Sequence, residues 1–331
     1  MSSPKKEKIA VLLFGFLRTA EITAGSLLNN IVIPNDADIF YYGPDASDNP
    51  GQIHQGILDK SGFIKINPKN IDSAVSGGIE DRLRNLYGDH LKAFELHNLQ
   101  ASDFEHYFSD ITKNDWLFDL NPNRFMSMFN NMQGVFRLMK ATEEKEGLRY
   151  DKVILTRPDL SFYNDISSDA VKDGIFNIPS GIGFCPHTGN KRNGVSTALF
   201  YLNKSTGEYI PYAQFNDQLF SFSRNDAETL ENLVEDCAGY ISRKVPLTPE
   251  TILYFHFCVK MKLKVKYIKS WIYEIVRSDD KVITNINDLM LLDVIDRYHP
   301  YVKERAKKRP IWYFLKYSKI RLRDMKKRFF G

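Results

Sequence analysis

The sequence predicts an α/β protein, a mixed and mostly parallel sheet flanked by helices, followed by a basic helical tail. Three observations carry this. Lys8 to Phe14 (KIAVLLF) is apolar on both strand faces, as a strand buried in the middle of a parallel sheet must be. A helical stretch and a second strand, Asp38 to Tyr42 (DIFYY), follow within a span suited to a strand-helix-strand unit. Tyr150 to Phe162 then reads as a buried strand, Val153 to Leu155, that ends in the charged turn Thr156-Arg157-Pro158-Asp159 before a second apolar pair.

Taken in order, the first strand runs into Gly15, Phe16, Leu17 and Arg18 as a turn, and a helix starts near Thr19 with Ile22, Leu27 and Leu28. Gly43 and Pro44 close the second strand. Residues 44–78 are rich in Gly, Asn, Asp and Pro and read as a connection with one short strand at Phe63 to Ile66. Ile79 to about Tyr107 reads as helical but polar. Met126 to Lys145 is the strongest helix, with Met128, Met132, Val135, Phe136 and Met139 along one stripe. Strands are expected at 152–155, 174–178, 197–202 and 264–268, and helices at 217–222, 226–239 and 249–261.

The chain has 331 residues, 43% of them hydrophobic, enough for a sizeable core. It contains no run of roughly 18 uncharged apolar residues, and no small-residue cleavage site follows Lys5 to Lys8. A cytoplasmic protein is therefore expected. Cys185, Cys237 and Cys258 are odd in number and widely spaced, which suits buried small hydrophobes rather than a disulfide framework or a zinc site. The net charge of +4 hides an asymmetry: residues 301–331 hold 12 Lys or Arg and 2 Asp or Glu, leaving 33 basic and 39 acidic residues in 1–300. An acidic body argues against a nucleic-acid-binding face.

Several positions are candidates for chemistry. Gly15 lets backbone approach a ligand, and Arg18 opens a helix whose N-terminal amides favour anions; an ordinary turn with a surface arginine is the plainer reading, a nucleotide-diphosphate contact the functional one. No GxGxxG or Walker spacing is present. Arg157 and Asp159 stand where a strand of an open α/β sheet delivers ligand-binding groups. They can satisfy one another as an ion pair. Alternatively, Asp159 can hold a hard divalent cation or ribose hydroxyls while Arg157 forks onto phosphate. In Phe215 to Phe222 (FNDQLFSF), Asn216, Asp217 and Gln218 exceed what a helix cap needs; Asp217 can act as a general base and Gln218 can orient a sugar. Glu250, behind Thr248 and Pro249, is explained by helix-start rules but remains a second candidate base. His187 and His256 lie in no HxxxH or HExxH pair, so a structural role is the plainer reading; the loop around His187 is a place for a late-arriving ligand. From Arg309 to Phe330, Trp312, Tyr313, Phe314, Tyr317, Phe329 and Phe330 alternate with cations, a pattern suited to an anionic leaflet.

The first strand with Gly15 and Arg18, the Met- and Asn-rich helix feeding YDKVILTRPDLSF, FNDQLF and PLTPETILYFHF together resemble bacterial GT-A-type glycosyltransferases of surface polysaccharide synthesis, over roughly residues 8–270. The resemblance implies a GT-A-like, Rossmann-like domain over 1–300, with a nucleotide-binding part at about 8–165, an acceptor part at about 166–300 and a tail at 301–331. It implies a nucleotide held by Gly15, Phe16 and Arg18, and Asp159 in the last position of an Asp-x-Asp turn that binds ribose and a metal-diphosphate. Asn216, Asp217 and Gln218 resemble the later Asp-Gln element beside sugar and acceptor. The first carboxylate of Asp-x-Asp is Arg157 here. Either Asp159 alone anchors Mn²⁺ or Mg²⁺, or Arg157 supplies the charge without metal. The expected partners are a nucleotide-sugar donor, UDP-linked, a glycan or lipid-linked acceptor, and the inner leaflet through Arg309 to Phe330, with no nucleic acid. Two other classes compete: a non-catalytic nucleotide- or sugar-binding protein docked on the membrane, and an RNA-binding factor that uses the tail.

Overall fold

A computed structural model describes residues 6–46, 78–109, 111, 121–162, 164–179, 183–184, 191–192, 199–202, 209–212, 216–241, 249–268, 270–271 and 273–275. In chain order the strands are β1 (Ile9–Phe14), β2 (Ala37–Pro44), β3 (Leu91–His97), β4 (Lys152–Thr156), β5 (Leu160–Phe162), β6 (Ile175–Pro179), β7 (Gly183–Phe184), β8 (Lys191–Arg192), β9 (Leu199–Leu202), β10 (Tyr209–Tyr212), β11 (Leu219–Ser223), β12 (Lys264–Ile268) and β13 (Tyr273–Ile275). The helices are α1 (Ala20–Leu27), which continues through wider turns to Asn35, α2 (Ile79–Tyr87), α3 (Pro122–Glu146), α4 (Leu233–Ile241) and α5 (Pro249–Tyr254), which continues to Lys260.

Seven strands form one sheet in the order β12-β6-β11-β4-β1-β2-β3. Every neighbouring pair is parallel except those made by β11, which is antiparallel to β4 and β6. Strands from both 8–165 and 166–300 enter this sheet. The chain leaves β1 towards β2 and β3, then returns to add β4 on the other side, so the strand order reverses between β1 and β4. In open α/β sheets, ligands bind beyond the carboxyl ends of the strands at such a switch point.

All six residues of β1 are buried, and their alternation divides the core. Ala10, Leu12 and Phe14 join the face covered by α3, α4 and α5, while Ile9, Val11 and Leu13 join the face covered by α1 and α2. This two-sided burial is why KIAVLLF lacks a polar face. Helix α3 begins where the Asn121 side chain accepts from Asn123 N at 3.0 Å with Pro122 in the first turn, and ends at Gly147 with φ of 64°. It crosses β1 and β2 closely, since a Cβ on Gly134 would meet the Tyr42 ring at 2.5 Å.

Two expectations are corrected. The polar stretch expected to be helical to about Tyr107 is helical only to Tyr87; Gly88, at φ of 51°, ends α2, and Leu91–His97 pairs with β2 as the edge strand, followed by a tight helical turn at Ala101–Phe108. Residues 217–222, expected as a helix, enter the antiparallel strand β11, whose five residues are all buried. Phe220 and Phe222 pack into the core beside Phe176, an aromatic strand pattern that overrides any cap at its start. The helix expected at 226–239 is split into a tight helical turn at Asp226–Leu230 and α4 at Leu233–Ile241, and the other expected strands and helices among the described residues fall within a few residues of expectation. Phe63 to Ile66, Cys185, His187 and the tail from Arg309 lie outside the described residues.

Candidate functional site

The first strand ends in a turn held by three contacts. Gly15 adopts φ of 91°, its N–H donates to the Tyr42 carbonyl at 3.1 Å, and its carbonyl accepts from the Tyr41 hydroxyl at 2.7 Å. Arg18 is also left-handed, at φ of 50°, a conformation a side chain tolerates poorly and that such sites hold by surrounding contacts. One of these is the Arg82 guanidinium, which donates to the Arg18 carbonyl at 3.4 Å and, through Nε, to Glu21 at 2.6 Å.

The second turn lies beside it, at the end of β4. Arg157 donates Nε to Asp159 Oδ1 at 2.9 Å and Nη2 to Oδ2 at 2.6 Å, a two-pronged fork. Arg18 Nη1 reaches the same Oδ2 at 3.1 Å. Asp159 is fully buried beneath the two guanidinium groups. The Pro158 carbonyl accepts from the Thr23 hydroxyl, while Ser26 Oγ accepts from Phe162 N at 3.0 Å and Asn30 Nδ2 donates to the Phe162 carbonyl at 3.1 Å. A polar stripe on α1 and its continuation therefore staples the segment that carries Arg157 and Asp159.

A third element enters from the start of β11. Asn216 Oδ1 accepts from the backbone N–H of Gln218 at 2.7 Å and of Leu219 at 2.8 Å, and Asn216 Nδ2 donates to the Tyr273 hydroxyl at 2.6 Å. Tyr273 in turn donates to Gln218 Oε1 at 2.9 Å. This triangle fixes the backbone around Asp217, whose side chain is 8% exposed and whose Oδ1 has no hydrogen-bond partner. A buried polar atom without a partner is unusual and marks a position awaiting one. Burial raises the Asp217 pKa above its ordinary value, and the positive charge of Arg157 works in the opposite direction.

These elements border one cleft of about 520 Å³. Phe14 to Arg18, Arg157 and Asp217 form one side. The other comes from the end of β3 and the first turns of α3, including His97, Asn121, Arg124, Ser127 and Asn131. His97 Nε2 donates to Asn131 Oδ1 at 2.6 Å and its Nδ1 accepts from Leu99 N at 3.2 Å, which joins β3 to α3 across the wall. With the N-terminus of a 25-residue helix at its rim and three arginines on its lining, the cleft favours an anion.

Of the sequence candidates, Gly15, Phe16, Arg18, Arg157 and Asp217 meet in this cleft. Asp159 lies beneath it as the anchor of two of them. Asn216 and Gln218, expected to touch sugar, hold the Asp217 turn together with Tyr273. Glu250 is buried in the first turn of α5 and does not line the cleft, although its neighbour Pro249 does. His256 is structural, accepting from Tyr240 at 2.9 Å and donating to the Thr229 carbonyl at 2.7 Å. His97, Asn131, Arg124 and Ser127 carried no sequence signal of their own, because only the crossing of α3 over β1 and β2 brings them to the cleft.

A hard divalent cation needs several oxygen ligands with free lone pairs. Both Asp159 oxygens are taken by guanidinium groups, and among the described residues no three His, Cys, Asp or Glu side chains are grouped to bind a metal. Among the described residues the donor set therefore does not fit Mn²⁺ or Mg²⁺. Comparison with known protein families and with curated proteins finds no match to this chain, so the functional reading rests on the site itself.

Proposed function

We propose that this chain is a glycosyltransferase of GT-A-like architecture that moves a sugar from a nucleotide donor, UDP-linked, to a lipid-linked or polysaccharide acceptor in cell-surface glycan assembly. The observation that carries the reading is the pairing, in one cleft at the β1/β4 switch point, of clamped arginines with a buried carboxylate whose Oδ1 has no partner.

Sugar transfer from a nucleotide donor requires negative charge to be stabilised on the departing diphosphate and a proton to be removed from the acceptor hydroxyl. Arg18 and Arg157 serve the first need. Asp217 serves the second: as the acceptor oxygen bonds to the anomeric carbon, the bond from that carbon to the diphosphate oxygen breaks, its electron pair leaves with the diphosphate, and the acceptor proton passes to Asp217 Oδ1. Such a displacement inverts the anomeric centre. A carboxylate whose pKa is raised by burial is a better base than an exposed one, because the proton it takes is held more tightly. The parallel strands and the reversal of strand order between β1 and β4 support the nucleotide half of the reading.

The test is Asp217→Asn with a panel of nucleotide sugars and extracted lipid-linked acceptors. Transfer falls by roughly 10²- to 10⁴-fold while donor affinity is kept. Undiminished turnover removes Asp217 from the chemistry, and donor binding without turnover in the unaltered protein favours the non-catalytic binder. The basic aromatic stretch Arg309 to Phe330 supports a peripheral position on the cytoplasmic face of the membrane, each cation near an anionic surface contributing about 1 kcal/mol. No helix among the described residues is long and apolar enough to cross a membrane. Deleting 309–331 releases the protein from anionic vesicles on this reading; retained binding defeats it.

A further inference from the structure

We infer that the phosphate-binding charge of the cleft is supplied by Arg18 and Arg157 in place of a divalent cation, and that Asp159 is the positioning residue that holds both; this rests on the nucleotide-dependent reading of the cleft. Three charge-assisted hydrogen bonds converge on one buried carboxylate: Arg157 Nε on Oδ1 at 2.9 Å, Arg157 Nη2 on Oδ2 at 2.6 Å, and Arg18 Nη1 on Oδ2 at 3.1 Å. A cation at Asp159 would have to compete with them and would meet the repulsion of two guanidinium groups. The two arginine side chains are only 16% and 27% exposed, so their charge is weakly screened where they line the cleft.

The fork has a directional consequence. A guanidinium is planar and fixes its donors rigidly, so when Nε and one Nη2 hydrogen are spent on Asp159, the opposite edge, with Nη1, faces away from it. Asp159 thereby aims Arg157 and holds a second guanidinium beside it, its negative charge offsetting part of their mutual repulsion. The Thr23 bond to Pro158 fixes the backbone between them. An Asp-x-Asp turn uses carboxylates to gather a cation that then gathers phosphate. Here one carboxylate gathers the cationic side chains directly.

The sign of one substitution separates the roles. Asp159→Asn adds one positive charge to the cleft, so if Asp159 were only a nearby negative charge, a diphosphate would bind more tightly. If Asp159 aims the arginines, binding weakens despite the added charge. If it holds a metal, the loss appears only when metal is present. The experiment is calorimetric titration of uridine diphosphate and of inorganic pyrophosphate into the full chain, in EDTA and again in saturating Mn²⁺, with thermal unfolding of each protein alongside.

The expected result is an unaltered protein whose affinity is the same in both buffers, and an Asp159→Asn variant weakened roughly tenfold in both, at the scale of one lost charge-assisted bond. Arg157→Lys, which keeps the charge but loses the fork, weakens binding in the same metal-independent way. Tighter binding in Mn²⁺ by the unaltered protein overturns the inference and leaves the nucleotide reading standing, a result that needs no variant to fold. Equal or tighter binding by Asp159→Asn overturns the positioning role. Failure of uridine diphosphate to bind in either buffer overturns the UDP-linked reading and the inference with it.

Discussion

The Thr23 hydroxyl donates to the Pro158 carbonyl at 2.5 Å, and so ties α1 to the turn that presents Arg157 and Asp159. The two residues lie 135 positions apart, and both are buried. Thr23→Val preserves shape and removes the donor, leaving a buried carbonyl unpaired. It should cost about 1–2 kcal/mol of stability and weaken nucleotide binding several-fold. Chemical denaturation and a binding titration check it; unchanged values in both would show the strap to be irrelevant to the site.

Gly15 and Gly43 are needed for different reasons, and substitution distinguishes them. A Cβ on Gly15 meets nothing within 4 Å, so Gly15→Ala pays only for the positive φ of 91°, about 1–2 kcal/mol. A Cβ on Gly43 would sit inside van der Waals contact of both the Gly15 carbonyl oxygen and the Tyr41 hydroxyl. Gly43→Ala must therefore push the turn that borders the cleft out of place, at an expected cost of about 1–3 kcal/mol. Adding Tyr41→Phe should not rescue it, because the Gly15 backbone remains in the way. Recovery of stability in that double variant would refute the account.

Asp217 should trade stability for function. Its folded pKa is raised by burial above the ordinary 3.8, so the folded protein holds that proton more tightly than the unfolded chain does. Stability from this group is then fully present below about pH 3.8 and is lost as pH rises through the folded value. At neutral pH the ionised carboxylate opposes folding, and Asp217→Asn should stabilise by about 1 kcal/mol while lowering transfer roughly 10²- to 10⁴-fold. The stability difference between the variant and the unaltered protein should shrink as the solution is acidified. A variant less stable at pH 7 would contradict the shift.

How far this site could be read from sequence depended on whether a residue's role is local. Val153 to Leu155 followed by Arg157 and Asp159 is an apolar run with charge at its mouth, and that pattern suffices to mark a strand end at a cleft. Asp217 stood out for its polar neighbours, although the alternation Phe220-Ser221-Phe222-Ser223 carried a strand period that the cap-like Asn216-Asp217 start obscured. Leu91–His97 was hidden because an edge strand is only half covered, which blurs its alternation. The Asn121-Pro122 pair is a helix-start signal that apolar periodicity alone passes over. Nothing local shows that Asp159 carries two arginines, since Arg18 arrives from 141 residues away.

The last prediction concerns the opposite end of the sheet. Arg224 donates Nε to both Glu143 oxygens at 2.9 and 3.0 Å and Nη2 to Oε2 at 2.7 Å, while Nη1 reaches Glu228 at 2.8 Å. Glu143 Oε1 also accepts from the Tyr150 backbone at 2.8 Å, so one carboxylate joins the last turns of α3, the entry to β4 and the end of β11. Both side chains are nearly inaccessible, at 5% and 6%. Arg224→Met strands the Glu143 charge in the core and should cost about 3–5 kcal/mol, whereas Glu143→Gln leaves Arg224 its bond to Glu228 and should cost less. Replacing both with apolar residues, Arg224→Met with Glu143→Leu, should recover much of the loss because no unpaired charge remains, apart from the bond that Tyr150 N loses. Nucleotide affinity should be unchanged in whichever variants fold, since the pair lies at the amino end of β4 and the cleft at its carboxyl end. Urea titration of the single and double variants decides it: a double variant no more stable than the singles would mean that the pair's geometry, rather than its charge balance, holds this end of the sheet.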